Sequence, residues 1–195
     1  MDGLVCKDVA KFYDTTQALS NVNLTIEKGK IYGLIGRNGA GKTTLLSMLS
    51  AQGKPSFGQV TLDDEIIWEN ENALSRMCFS RELNLNKDNF ISYYLSVVSI
   101  KDYLKLGARY FPNWNGEMAN KLLEEFELKP WMRIGKLSKG MLSIITIIVG
   151  MASKAEYTFL DEPVASLDVF RRRTFYKILL EEYEKTNRTF VISTH

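Results

Sequence analysis

The sequence predicts an α/β fold: a mostly parallel sheet with helices packed on it, an N-terminal antiparallel β subdomain, and an α-helical subdomain inserted in the middle. Three observations predict it. Strand-like runs alternate with helical ones, as in βαβ architectures. Consecutive strand patterns crowd the N-terminal third, and residues 89–153 abandon the two-residue period for a helical one.

Taken in order, residues 1–35 alternate apolar with polar, placing Val22, Leu24 and Ile26 on one face. The run 30–35 reads as a buried strand ending in glycines, and a helix follows over about 42–51. Gly53, Pro55 and Gly58 break the chain, 60–62 and 66–68 read as an exposed hairpin, and 76–80 as a further short strand. Beyond residue 89, Leu104, Ala108 and Phe111, then Leu122, Leu123 and Phe126, recur at helix spacing. The apolar run 141–152 falls short of the roughly 20 residues a membrane span needs, so it reads as a buried helix. Strand patterns return at 157–160 and 189–194, around a helix over 169–185 that is charged on one side. The core and β subdomain are thus expected at 1–88 and 154–195, and the helical subdomain at 89–153.

Composition narrows the function. An apolar fraction of 45% and a charged fraction of 25% are those of an ordinary globular chain. A net charge of +2 offers little attraction to nucleic acid or anionic lipid. Cys6 and Cys78 fit no metal-ligand or redox spacing and read as free buried thiols of a reducing compartment. Met1-Asp2-Gly3 opens no signal-like segment.

Two segments carry chemistry. Gly36-Arg37-Asn38-Gly39-Ala40-Gly41-Lys42-Thr43, followed by Thr44, fits the phosphate-loop pattern G-x-x-x-x-G-K-[ST], with the required strand before it and helix after it. Glycines let consecutive N–H groups curl around a phosphate chain, and the helix N-terminus adds partial positive charge. Lys42 is expected at the β- and γ-phosphates, and Thr43 offers its hydroxyl to Mg²⁺. The strand 157–160 ends in Asp161 and Glu162; Asp161 is expected to hold Mg²⁺ and Glu162 to act as general base toward an attacking water. Ser138 suits a helix N-cap. Gly140 in the first turn costs helix stability, so it implies something that approaches closely, for which a phosphate is the candidate.

In sequence order, the phosphate loop, Leu137-Ser138-Lys139-Gly140, the Asp161-Glu162 strand end, the Leu167-Asp168 turn and His195 resemble the ATP-binding subunit of ABC transporters over essentially the whole chain. The resemblance implies a P-loop NTPase core, ATP and Mg²⁺ as cofactors, and ATP hydrolysis. It places Tyr13 against the adenine; a half-buried strand tyrosine is the alternative. Ser138 and Gly140 would grip the γ-phosphate of ATP bound to a second subunit. Residues 163–168, with Asp168, would couple the two sites, and His195 would contact the γ-phosphate, joining Glu162 and Lys42 in the catalytic set. The implied partners are a separate transmembrane permease and an identical or similar ATPase domain, with no nucleic acid. The implied location is the cytoplasmic face of the membrane, held peripherally.

Departures from the family pattern are few. Arg81, flanked by Ser80 and Glu82, stands where a glutamine usually touches Mg²⁺. Lys139 replaces the commoner glycine of the signature, and Thr158 sets a hydroxyl in a strand that is usually apolar. The family usually runs beyond the position of His195, so the C-terminal part of the domain is expected to be missing. Phe111-Pro112-Asn113-Trp114-Asn115 resembles stand-alone export ATPases and favours export. Two other readings stay open: a soluble ABC ATPase acting on ribosome or DNA, and a module that binds ATP without hydrolysing it.

Overall fold

The computed structural model describes residues 3–83, 85 and 90–195, the side chains of 90–92 excepted. Its contacts divide the chain into two units. The first comprises 1–79, 155–161 and 183–195; the second comprises 80–154 and 162–182.

In the first unit, β1 (Leu4–Tyr13) and β2 (Thr16–Ile26) form a long antiparallel hairpin. Asp14 closes it in the left-handed region (φ 50°), which a short polar side chain tolerates better than most. The hairpin β4 (Phe57–Leu62) and β5 (Glu65–Ile66) turns through Asp63 and Asp64, both at positive φ as a two-residue type I′ turn requires. These four make one antiparallel sheet in the order β2-β1-β4-β5. A second sheet has the order β3-β8-β7-β6, from β3 (Ile31–Ile35), β6 (Met77–Ser80), β7 (Tyr157–Leu160) and β8 (Thr189–Thr194), and β8 runs parallel to both β3 and β7. The core of this unit draws Leu4, Val9 and Val60 from the first sheet, Phe159 and Val191 from the second, and Leu46 and Leu49 from helix α1 (Lys42–Leu49).

All four residues of β7 are buried, since it has a strand on each side. The run 30–35 departs from expectation. It lies at the sheet edge, none of its residues is fully buried, and Ile35 is 78% exposed. Helix α1 also stops at Leu49, with Ala51 turning to positive φ.

The second unit is helical: α3 (Phe90–Val97), α4 (Ile100–Tyr110), α5 (Gly116–Glu125), α6 (Lys139–Ala152) and all but the last turn of α7 (Val169–Lys185), with the short helix α2 (Glu71–Ser75) belonging to the first unit. Capping explains the starts of four of them. The side chains of Ser99, Asn115, Ser138 and Asp168 each accept the backbone N–H three residues on, at 2.8–3.2 Å. Helix α6 is the apolar axis of this unit, with Ile144, Ile145, Ile147 and Ile148 wholly buried. Among the described residues, no helix is long and apolar enough to cross a membrane.

Candidate nucleotide site

Parallel pairing brings the chemistry to one end of the second sheet. Strands β3, β7 and β8 point the same way, so residues 36, 161 and 195 all follow the carboxyl ends of their strands, where ligands of α/β sheets bind. Ile35 pairs with Thr194, and the Gly36 N–H donates to the Thr194 carbonyl at 3.4 Å. His195 is therefore the next residue along from the start of the loop.

The loop itself is shaped by its glycines. Gly41 caps α1 in the left-handed region (φ 85°), and a Cβ there would lie 2.6 Å from the Ala18 carbonyl oxygen. No other residue fits both constraints. Gly39 is left-handed too (φ 81°), the kind of backbone that lets successive N–H groups line an anion-binding concavity. Lys42 is buried, and its ammonium donates to the Gly36 carbonyl at 2.7 Å and to that of Arg37 at 3.3 Å. Its charge is held inside the loop, where phosphate oxygens would lie.

Thr43 and Asp161, 118 residues apart, meet directly. The Thr43 hydroxyl donates to Asp161 Oδ2 at 2.7 Å, and the Ser193 hydroxyl donates to Oδ1 at 2.6 Å. A carboxylate beside a hydroxyl, both at the rim of a phosphate-shaped loop, is a hard oxygen donor set that suits Mg²⁺. The residues present therefore fit both the nucleotide and the metal.

The family profile described as ABC transporter matches residues 19–165, which takes in the loop, the capped start of α6 and the carboxylate strand end. The chain belongs to the ABC transporter ATP-binding family. Its domain is an ABC ATPase. The lipoprotein-releasing ATP-binding protein LolD of Leptospira interrogans is 30% identical over 99% of this chain and 82% of its own length. The zinc-uptake ATP-binding protein ZnuC of Bacillus subtilis is also 30% identical, over 97% and 82%. YtrB of Bacillus subtilis, an ABC transporter ATP-binding protein, is 25% identical over 97% of this chain, which spans only 62% of that relative's length. Among solved structures, an ABC transporter ATP-binding protein from Pyrococcus furiosus superposes with a TM-score of 0.78 at 26% identity, covering 100% of this chain and 92% of the other.

Other ABC positions in the second unit take simpler structural parts. Ser138 caps α6. At Gly140 the chain itself approaches: a Cβ there would meet the Ser166 carbonyl oxygen at 2.7 Å. The glycine is thus required before any ligand is considered. Asp168 caps α7 through the Arg171 N–H and lies 3.6 Å from the Arg171 guanidinium. Glu162 sits at φ 46°, a left-handed conformation that costs a non-glycine residue about 1 kcal/mol or more and clusters at functional sites. Tyr13, at the end of β1, is half-exposed with the Lys11 ammonium 5.2 Å from its ring centre. Arg81 is exposed.

Sequence reasoning missed two residues. Ser193, wholly buried, read only as part of a strand. Arg188 is 5% exposed and donates to the Ala155 carbonyl at 2.8 Å and to the Thr158 hydroxyl at 2.7 Å. The one available signal was Thr158, whose hydroxyl in an apolar strand is the acceptor Arg188 needs.

Proposed function

We propose that this chain binds Mg-ATP in the 36–44 loop and hydrolyses it to drive a separate transmembrane permease, working as a dimer of ATPase domains at the cytoplasmic face of the membrane. The single observation that supports this best is the meeting of Thr43 with Asp161 beside the buried Lys42. Lys42 neutralises the β- and γ-phosphates, the loop N–H groups orient them, and Tyr13 stacks on adenine. Thr43 and Asp161 would hold Mg²⁺, which supplies charge neutralisation between phosphate oxygens. Glu162 draws the proton from the attacking water, and His195 donates to the γ-phosphate. Ser138, Gly140 and Asp168 serve the nucleotide of the partner domain, so neither protomer holds a complete site.

Export, expected from 111–115, is not carried into the proposal. Phe111 and Trp114 stack with their rings 6.3 Å apart, which is ordinary packing of the helical unit. The matched relatives include a lipoprotein-releasing and a zinc-uptake protein. The soluble ribosome- or DNA-acting reading has no observation in its favour.

Glu162→Gln removes the base but keeps size and polarity, so bound ATP persists. This variant is expected to run as a dimer on size exclusion only with ATP, with hydrolysis lost, while Lys42→Ala loses ATP binding in calorimetry. A fully active, strictly monomeric Glu162→Gln protein would overturn both the base and the shared site.

A further inference from the structure

We propose that Ser193 is a positioning residue for Asp161: its buried hydroxyl fixes the carboxylate so that the opposite oxygen faces the divalent cation. The inference rests on the reading of Asp161 as the metal-holding residue given above. The juxtaposition begins in the sheet. Leu160 pairs with Ile192 in parallel register, so Asp161, the first residue past β7, comes level with Ser193, which is still inside β8 opposite Leu34. The Ser193 hydroxyl then reaches Oδ1 at 2.6 Å, the short separation of a hydroxyl on an ionised acceptor.

The two hydroxyls on this carboxylate are not equivalent. Thr43 is exposed, and its oxygen keeps lone pairs that can face a cation while its O–H donates to Asp161 Oδ2. Ser193 is 0% exposed, so its oxygen is shut off from a solvated ion and its part is to orient. A carboxyl torsion is otherwise broad and two-fold. With Thr43 alone the group could swing; with Ser193 in place, both carboxylate oxygens are held, and swinging would break the 2.6 Å bond. Serine is also the costly choice at a wholly buried strand position, where valine would pack and pair better. Its acceptor accounts for it.

The test is the linkage between metal and nucleotide, measured by calorimetry of ADP binding in Mg²⁺ and in EDTA. ADP is not hydrolysed, so the readout is independent of turnover. In Ser193→Ala the metal-free affinity is expected to stay within about twofold of wild type, while the affinity gained on adding Mg²⁺ falls about tenfold, the low end for loss of a partner behind a metal ligand. Ser193→Cys, a near-isosteric weak donor, is expected to fall between them, and it carries the test if the alanine variant fails to fold. Asp161→Asn is run alongside and is expected to lose the Mg²⁺ gain. An unchanged gain in Ser193→Ala, with the gain lost in Asp161→Asn, overturns the positioning part alone. Equal losses with and without Mg²⁺ in Ser193→Ala also overturn it, since they mean a damaged loop. A full gain in Asp161→Asn overturns the metal assignment on which it rests.

Discussion

Gly140→Ala sets two physical effects against each other within one helical turn. Alanine is favoured over glycine in a helix interior by about 1 kcal/mol, so propensity alone predicts a more stable protein. Packing predicts the reverse. The new methyl would sit 2.7 Å from the Ser166 carbonyl oxygen, a contact that forces a shift of backbone rather than of a side-chain end. That backbone has little room to yield. Arg172 of α7 donates to the carbonyls of Val164 and Leu167 on either side of Ser166, each at 3.4 Å, and the next residue, Asp168, caps α7. Overpacking of this kind costs about 1–3 kcal/mol, so the net expectation is destabilisation of up to about 2 kcal/mol. In a chain of 195 residues each 1 kcal/mol lowers Tm by about 2–4 °C. The assay is urea and thermal unfolding, with Lys139→Ala, exposed one residue earlier, as the propensity control. A Gly140→Ala protein stabilised by the full propensity increment would refute the close-approach reasoning.

Three further outcomes follow from buried or half-buried polar groups. The Tyr157 hydroxyl is buried without a hydrogen-bond partner among the described residues, and burial raises its pKa above the ordinary tyrosine value; Tyr157→Phe is expected to be neutral or to stabilise by about 1 kcal/mol in urea unfolding. Thr158→Val improves strand propensity but removes one acceptor of the buried Arg188, whose bond to the Ala155 carbonyl remains, so a loss of about 1 kcal/mol is expected in the same assay. Asp63 and Glu156 share Arg76, which bonds Glu156 through two nitrogens at 2.7 and 2.9 Å and Asp63 at 2.9 Å, with Lys28 alongside. Burial pushes both carboxyls up, but the hydrogen bonds from Arg76 and Lys28 outweigh it and hold both below their ordinary values. A folded pKa below the unfolded one contributes stability above the unfolded pKa and loses it as pH falls through the folded one. Acid titration of Tm is therefore expected to fall below the ordinary carboxylate range, and Glu156→Gln to flatten that limb; an unchanged limb would remove the network from acid stability.

The sequence by itself determined the parts whose signals are local. The phosphate loop is a contiguous pattern because neighbouring N–H groups must line one phosphate chain. The segments 157–160, 169–185 and 189–194 announced themselves at the boundaries the structure gives them, through runs rich in aromatic and β-branched residues and a long charged helix. Asp161 and Glu162 were legible for the same reason, since a strand end fixes where two side chains emerge. Only the tertiary structure decided what depends on partners far along the chain. The edge position of β3 exposes Ile35, although its run looks as apolar as a central strand, because burial depends on how many neighbours a strand acquires. The occupant beside Gly140 is the Ser166 carbonyl, which spacing cannot reveal. Ser193 and Arg188 were invisible for the same reason: a buried hydroxyl or guanidinium makes sense only through its acceptor, and those acceptors, Asp161 and Thr158, lie 32 and 30 residues away on a strand that parallel pairing brings alongside.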